Sequence, residues 1–225
     1  MYVISFANPK GGTGKTTAAL LLAEQLARAG AAVVMLDCDP NQNIVTWAKD
    51  RKEAGRTTPF RVIARPPEDQ VVETIDALDG IADYVIVDLE GTAAQIVTFV
   101  LSRTDLAIIP FEPTPMETRQ AARAVSLVKS TARMMRREIP FTLLFTRTNA
   151  AFATSDERDV RAETTDLPML SVSLVRRAAF TRIFRESLML SELKAGQVSN
   201  LEAALTNARD YAQAIANKLT DKEAA

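Results

Sequence analysis

Asn8-Pro9-Lys10-Gly11-Gly12-Thr13-Gly14-Lys15-Thr16-Thr17 is the stretch that decides how this chain folds. An apolar run over 2–6 precedes it, and a segment with helical spacing over 18–29 follows. Strand, glycine-rich turn and helix, in that order, are the context a phosphate-binding loop requires. Glycines at 11, 12 and 14 let successive backbone N–H groups curl inward without a Cβ clash, which makes an anion nest at a helix N-terminus. The helix dipole adds partial positive charge at the same point. Lys15 then comes within reach of β- and γ-phosphates, and the Thr16 hydroxyl is placed to ligate Mg²⁺.

Working outward, the first helix is expected over 16–29, with Leu20, Leu22, Ala23, Leu26 and Ala27 facing inward and Gly30 ending it. A continuous apolar strand over 32–36 has the pattern of a parallel sheet buried on both faces. It runs into Asp37-Cys38-Asp39-Pro40-Asn41. Two carboxylates at the C-terminal end of a strand, beside a phosphate loop, sit where open α/β sheets hold their ligands. The plainer alternative is an Asp-Pro turn that caps the next helix. A second buried strand over 84–88 closes on Asp88, placed to hold Mg²⁺ directly or through water. In the loop over 89–92, Gly91 suits backbone that follows a terminal phosphate. Glu90 there reads equally well as a general base or as a solvated carboxylate.

The remaining pattern alternates in the same way. Helices are expected over 44–50 with Trp47 inward, over 68–78, and over 116–137 with Ala122, Val125, Leu127 and Val128 inward. Further strands are expected over 60–64, 106–110, 141–145 and 169–172. Capping boxes at Thr154–Glu157 and Ser199–Glu202 start a helix reaching about 165 and a closing helix, respectively. The whole reads as one α/β P-loop NTPase domain over 1–225, a mostly parallel twisted sheet with helices on both faces, closed by a helical segment over 191–225.

Composition narrows the chemistry. With no histidine, imidazole acid–base catalysis and histidine-based metal sites are excluded. The single cysteine, Cys38, cannot form an internal disulfide and suits a reducing compartment. A formal net charge of −1 means that nucleic-acid binding has to come from a local patch. No apolar run approaches the length of a membrane span, and charge arrives too soon after Met1 for a signal peptide, so a cytoplasmic protein is expected.

The Lys10-to-Thr16 run, with a second lysine at its front, resembles the deviant Walker A motif of the ParA/MinD ATPases. The resemblance implies ATP and Mg²⁺ as cofactors, bound by Lys10, Gly11, Gly12, Thr13, Gly14, Lys15, Thr16 and Thr17. It also implies a homodimer on ATP binding, with Lys10 reaching the partner's phosphates. The Asp37–Pro40 segment resembles switch I of that family, in which Asp39 would position or activate the attacking water. Lys10 and Lys15 join it as catalytic residues, while Asp37 joins Thr16 and Asp88 around the metal. The chain departs from the family by placing Asn41 before Gln42. The run over 108–115 resembles the proline-rich element of ParF-like partition ATPases, which puts Pro113 near the adenine; a rigid connector is the alternative. Arg147 falls where relatives carry adenine-contacting groups.

Arg176, Arg177, Arg182 and Arg185, interleaved with Phe180, Ile183 and Phe184, read either as a DNA-binding patch or as a solvated face. Arg133, Arg136 and Arg137 are candidates to extend it. The closing helix carries an alanine-diluted stripe, Leu201, Leu205, Ala208, Tyr211, Ile215 and Leu219, and ends without net basic charge. Core packing is therefore expected rather than stable membrane binding. The family resemblance implies non-specific DNA binding, nucleoid association, slow hydrolysis stimulated by a small centromere-binding or adaptor protein, and DNA segregation. The alternatives are an ATPase that positions a protein cluster or relaxosome, a MinD-like regulator, and a metabolic P-loop enzyme.

Overall fold

The structure, a computed structural model, describes residues 1–90 and 95–223, with side chains through 220. The chain alternates strand and helix. It runs β1 (Tyr2–Phe6), α1 (Lys15–Arg28), β2 (Val33–Asp37), α2 (Asn43–Glu53), β3 (Arg61–Ala64) and α3 (Val71–Asp76). Then come β4 (Tyr84–Asp88), α4 (Gln95–Leu101), β5 (Leu106–Phe111), α5 (Pro115–Met135), β6 (Phe141–Thr148) and α6 (Ser155–Glu163). The last elements are β7 (Leu174–Val175), α7 (Ala178–Arg185) and α8 (Leu201–Glu223). Every strand pairing is parallel, in the order β3-β2-β4-β1-β5-β6-β7.

Both sheet faces are covered, which is why the strands read as unbroken apolar runs. Ile4, Phe6, Val33 and Met35 face a core built with α1, α2, α7 and α8. Val3, Ala7, Val34 and Leu36 face the opposite core, built with α3, α4 and α5. In α8, Ala208, Tyr211, Ile215 and Leu219 are buried, and the Tyr211 hydroxyl donates to the Ala18 carbonyl of α1 at 3.2 Å. No helix among the described residues is long and apolar enough to cross a membrane.

Several local expectations change. The last strand is not over 169–172: Met169 makes one bridge to Leu143, and the strand proper is Leu174–Val175. Its placement depends on Asn207 of α8, which donates to the Ser173 carbonyl at 2.8 Å and accepts from the Val175 N–H at 2.9 Å. The segment 68–78 divides into a 3₁₀ turn, Glu68–Gln70, and the short α3. On α5 the inward residues are Ala121, Ala124, Val125 and Val128, with Leu127 at the edge and Ala122 exposed. At 100° per residue, Ala122 turns toward solvent on the side that carries Arg119 and Arg123. Thr154 caps α6 as expected, accepting from the Glu157 N–H at 3.1 Å. The Gly91-Thr92 part of the expected phosphate-following loop lies outside the described residues.

One buried charge fastens α2 to the segment before α8. Arg51 is fully buried, donates to Glu192 at 2.6 and 2.9 Å and to the Thr57 and Ser187 carbonyls, and stacks 4.9 Å from the Trp47 ring centroid. Arg51→Ala should lower unfolding stability by about 2–3 kcal/mol, because it opens a void and strands the Thr57 carbonyl, while Arg56 still serves Ser187 and the partly exposed Glu192 softens the loss. Urea denaturation of the variant measures it.

Candidate nucleotide site

The loop between β1 and α1 lies at the C-terminal edge of the sheet, where β1 sits between β4 and β5. Gly12 and Gly14 adopt φ of 80° and 92°, a region open to glycine at no steric cost. A Cβ on Gly14 would also meet the Thr146 methyl at 3.4 Å. Side chains from neighbouring strands pin the loop. The Asn8 amide donates to the Pro110 carbonyl at 2.8 Å, and its oxygen accepts from the Lys10 N–H at 3.0 Å. The Thr146 hydroxyl donates to the Thr13 carbonyl at 2.8 Å.

The two lysines have different environments. Lys15 is buried, its ammonium donating to the Asn8 and Lys10 carbonyls at 3.0 and 3.1 Å. Burial lowers its pKa, opposed by Asp88, Asp39 and Glu117. Lys10 keeps more than a third of its side chain exposed and forms an ion pair with Glu117, in the first turn of α5.

Three acidic residues converge on the same edge. Asp37 and Asp88 are register partners on β2 and β4. Asp37 is committed to the backbone: it accepts from the Ile44 and Val45 N–H groups at 2.9 and 3.1 Å, capping α2, and from the Asp39 N–H at 3.3 Å. Burial raises its pKa, and those N–H bonds oppose the shift. Asp39 accepts from both the backbone and the side-chain amide of Asn41 at 2.8 Å, so the residue that departs from the family pattern holds the carboxylate in place. Asp88 is buried, and neither of its oxygens has a hydrogen-bond partner among the described residues. Burial drives its pKa up to about 7, with the nearby Thr16 hydroxyl and Lys15 pulling the other way. An orphaned carboxylate beside Thr16 suits a divalent cation, which would relieve that cost.

Two of the cavities that adjoin the loop bear on a nucleotide. One, about 570 Å³, is lined by Gly11, Gly12, Lys15, Thr16, Asp39 and Glu90. The other, about 400 Å³, is lined by Val175, Arg176, Arg177, Phe180 and Thr181. Gly14, Thr17 and Arg147 line both. The first offers the loop amides and the Lys15 ammonium to a chain of phosphates, and the second offers a flat base the apolar wall of Val175 and Phe180.

The family model described as VirC1 protein matches residues 1–221. The chain belongs to the VirC1 family, of the ParA/MinD type of ATPase. It is 32% identical to Protein ParA of Rhizobium radiobacter over 98% of this chain and 99% of that one. It is 24% identical to Maintenance of carboxysome distribution protein A of Halothiobacillus neapolitanus, over 86% and 88% of the two chains. The fold superposes on that of a Cyanothece McdA variant in complex with ATP with a TM-score of 0.76 at 17% identity, covering 96% of each chain.

Within this family, the expected arginines separate. Arg147 sits at φ 55°, in the register shift of β6 between Thr146 and Thr148, and this bulge carries it to both cavities. Its guanidinium lies 3.8 Å from Glu112, which also pairs with Arg176 at 2.6 Å. Arg177 lines the base-sized cavity, its buried Nε without a partner among the described residues. Arg182 pairs with Glu186 and donates to the Gln197 carbonyl at 2.7 Å, and Arg185 is exposed. Pro113 is buried just after β5, next to Glu112. Glu90 pairs with Arg65 at 3.4 Å. Cys38 is buried, which pushes its thiol pKa up to about 12 and leaves it unreactive.

Sequence reading missed Asn8, Thr146, Glu112 and Glu117. Only Glu117 had a local signal, since Thr114-x-x-Glu117 is a capping-box spacing at the start of α5; Thr114 does accept from the Glu117 N–H, at 3.4 Å.

The raised Asp88 pKa has a defined consequence for stability. Between about pH 4 and 7 the unfolded carboxyl is ionised while the folded one stays protonated, so folding loses stability as pH rises through that window. In metal-free protein, Asp88→Asn should therefore raise stability by an amount that grows from pH 4 to 7. It should then level off, on the order of 4 kcal/mol. Thermal melts of both proteins across pH 4–8 follow the difference.

Proposed function

We propose that this protein is a DNA-partitioning or cargo-positioning ATPase that closes as a dimer around ATP and Mg²⁺. The observation that carries the reading is the division of labour between the two loop lysines. Lys15 is buried against the nest and suits a role in holding phosphates within its own subunit. Lys10 stands at the rim, partly exposed and paired with Glu117, where a second subunit could receive it. An ammonium brought to the terminal phosphate from outside would stabilise charge on the transferred phosphoryl group, as an arginine finger does.

The rest of the site has consistent roles. The Gly11–Gly14 amides cradle the phosphates, Thr16 and Asp88 hold Mg²⁺, and Asp39 orients the attacking water. Asp37 acts on the metal side through the backbone it organises. Arg147, Arg176 and Arg177, with Pro113 behind them, border the nucleoside. The dimer binds DNA without sequence preference, and an adaptor protein stimulates hydrolysis to separate the subunits. Relatives named for chromosome partitioning, in Caulobacter vibrioides and Thermus thermophilus, favour DNA as cargo. The carboxysome-distribution relative supports a second reading, in which the same cycle positions a protein assembly.

Lys15→Ala should abolish ATP binding. Lys10→Ala should bind ATP with near-parental affinity yet remain monomeric by light scattering. Asp39→Ala should accumulate as an ATP-bound dimer, with turnover reduced at least tenfold. Parental turnover in Asp39→Ala, or an ATP-bound dimer of Lys10→Ala, would overturn the assignment.

A further inference from the structure

We propose that the outer face of α5 is the surface this protein lays on duplex DNA, an inference that rests on the DNA-binding part of the proposed function. From Thr118 to Arg137 the sequence holds six basic residues and no acidic one, in a chain whose net charge is −1. Helical geometry sorts them. Arg119, Arg123 and Arg133 fall within about 80° of one another around the axis, with Lys129 at the margin. All four are exposed, opposite the buried row of Ala121, Ala124, Val125 and Val128.

What distinguishes this face is that its charge is unspent. Among the described residues, none of the ion pairs involves Arg119, Arg123, Lys129 or Arg133. Around α7, Arg176 is paired with Glu112 and Arg182 with Glu186, Arg177 is turned into the cavity beside Thr17, and Arg185 alone is exposed without an ion pair among the described residues. A guanidinium already neutralised by a carboxylate gains little from a phosphate, since one attraction is exchanged for another. Arg137 donates to the Leu101 and Thr104 carbonyls at the end of α4, so it is left out of the set.

The stripe also continues past its own helix. Lys129 and Arg133 line a cavity of about 610 Å³ with Lys218 of α8, where Glu138 and Asp105 are the acidic members. From Arg119 to Arg133 the helix covers about 21 Å, along which duplex DNA presents about twelve phosphate charges. A row of exposed guanidinium groups on a rigid helix, with the Ser126 and Ser130 hydroxyls between them turned back onto the Ala122 and Leu127 carbonyls, fits the sugar–phosphate backbone and implies no sequence preference. At its other end α5 carries Glu117, the partner of Lys10, in its first turn, so the DNA-facing helix is anchored at the nucleotide loop.

The test compares wild type, Arg119→Ala/Arg123→Ala/Arg133→Ala, and Arg182→Ala/Arg185→Ala, each with ATP and Mg²⁺. Binding to a fluorescent random-sequence duplex is read from 50 to 300 mM salt, and thermal melts verify folding. The α5 variant should lose at least tenfold in affinity, and its log–log salt slope should shrink by about 2.7. The α7 variant should stay within threefold of wild type. Wild-type binding with an unchanged slope in the α5 variant overturns the surface assignment and leaves the DNA reading intact. A wild type that ignores DNA but binds phosphatidylserine vesicles overturns both.

Discussion

The nest of inward-pointing amides between β1 and α1 is the constraint on which the other features depend. The loop is fastened to strands beside it. Asn8 ties its start to β5, and Thr146 ties its middle to β6, both through hydrogen bonds to backbone carbonyls. Parallel strands are the right support for this, since all of them bring their C-terminal ends to one edge. Asp37, Asp39 and Asp88 therefore converge on the loop although none of them is close to Lys15 in the sequence.

That convergence has an electrostatic cost that the site retains. Asp88 is buried without a hydrogen-bond partner among the described residues, and the Lys15 ammonium is buried against backbone carbonyls. The two groups are of opposite sign, placed where a nucleotide with its cation would supply the missing charges. Asp37 shows the contrasting solution. Its oxygens are occupied by N–H groups from the start of α2, so it supports the switch segment as a helix cap. Similar carboxylates on adjacent strands thus serve different ends.

The placement of charge outside the site follows a related logic. Glu112 and Glu117, five residues apart, hold Arg176, Arg147 and Lys10 between them, so the segment around the start of α5 is tied both to the arginines that line the cavities and to the glycine-rich loop. The only carboxylate of α5 is on its inner side, paired with Lys10, and the outer face carries only basic charge. That acidic residue sits at the first turn of the helix, where the dipole also favours negative charge.

The sequence by itself determined the glycine-rich loop, the buried parallel strands, the carboxylates that end two of them, and the helices with a clear apolar stripe. These are local properties: a glycine's freedom, a period of two or 3.6, a cap three residues away. Tertiary structure decided the rest. It set the short β7 through Asn207 and selected Glu117 as the partner of Lys10. It also joined Arg51 to Glu192 across 141 residues and separated engaged arginines from exposed ones. A basic run looks the same in sequence whether or not a distant carboxylate neutralises it, because pairing depends on which helix ends the sheet brings together.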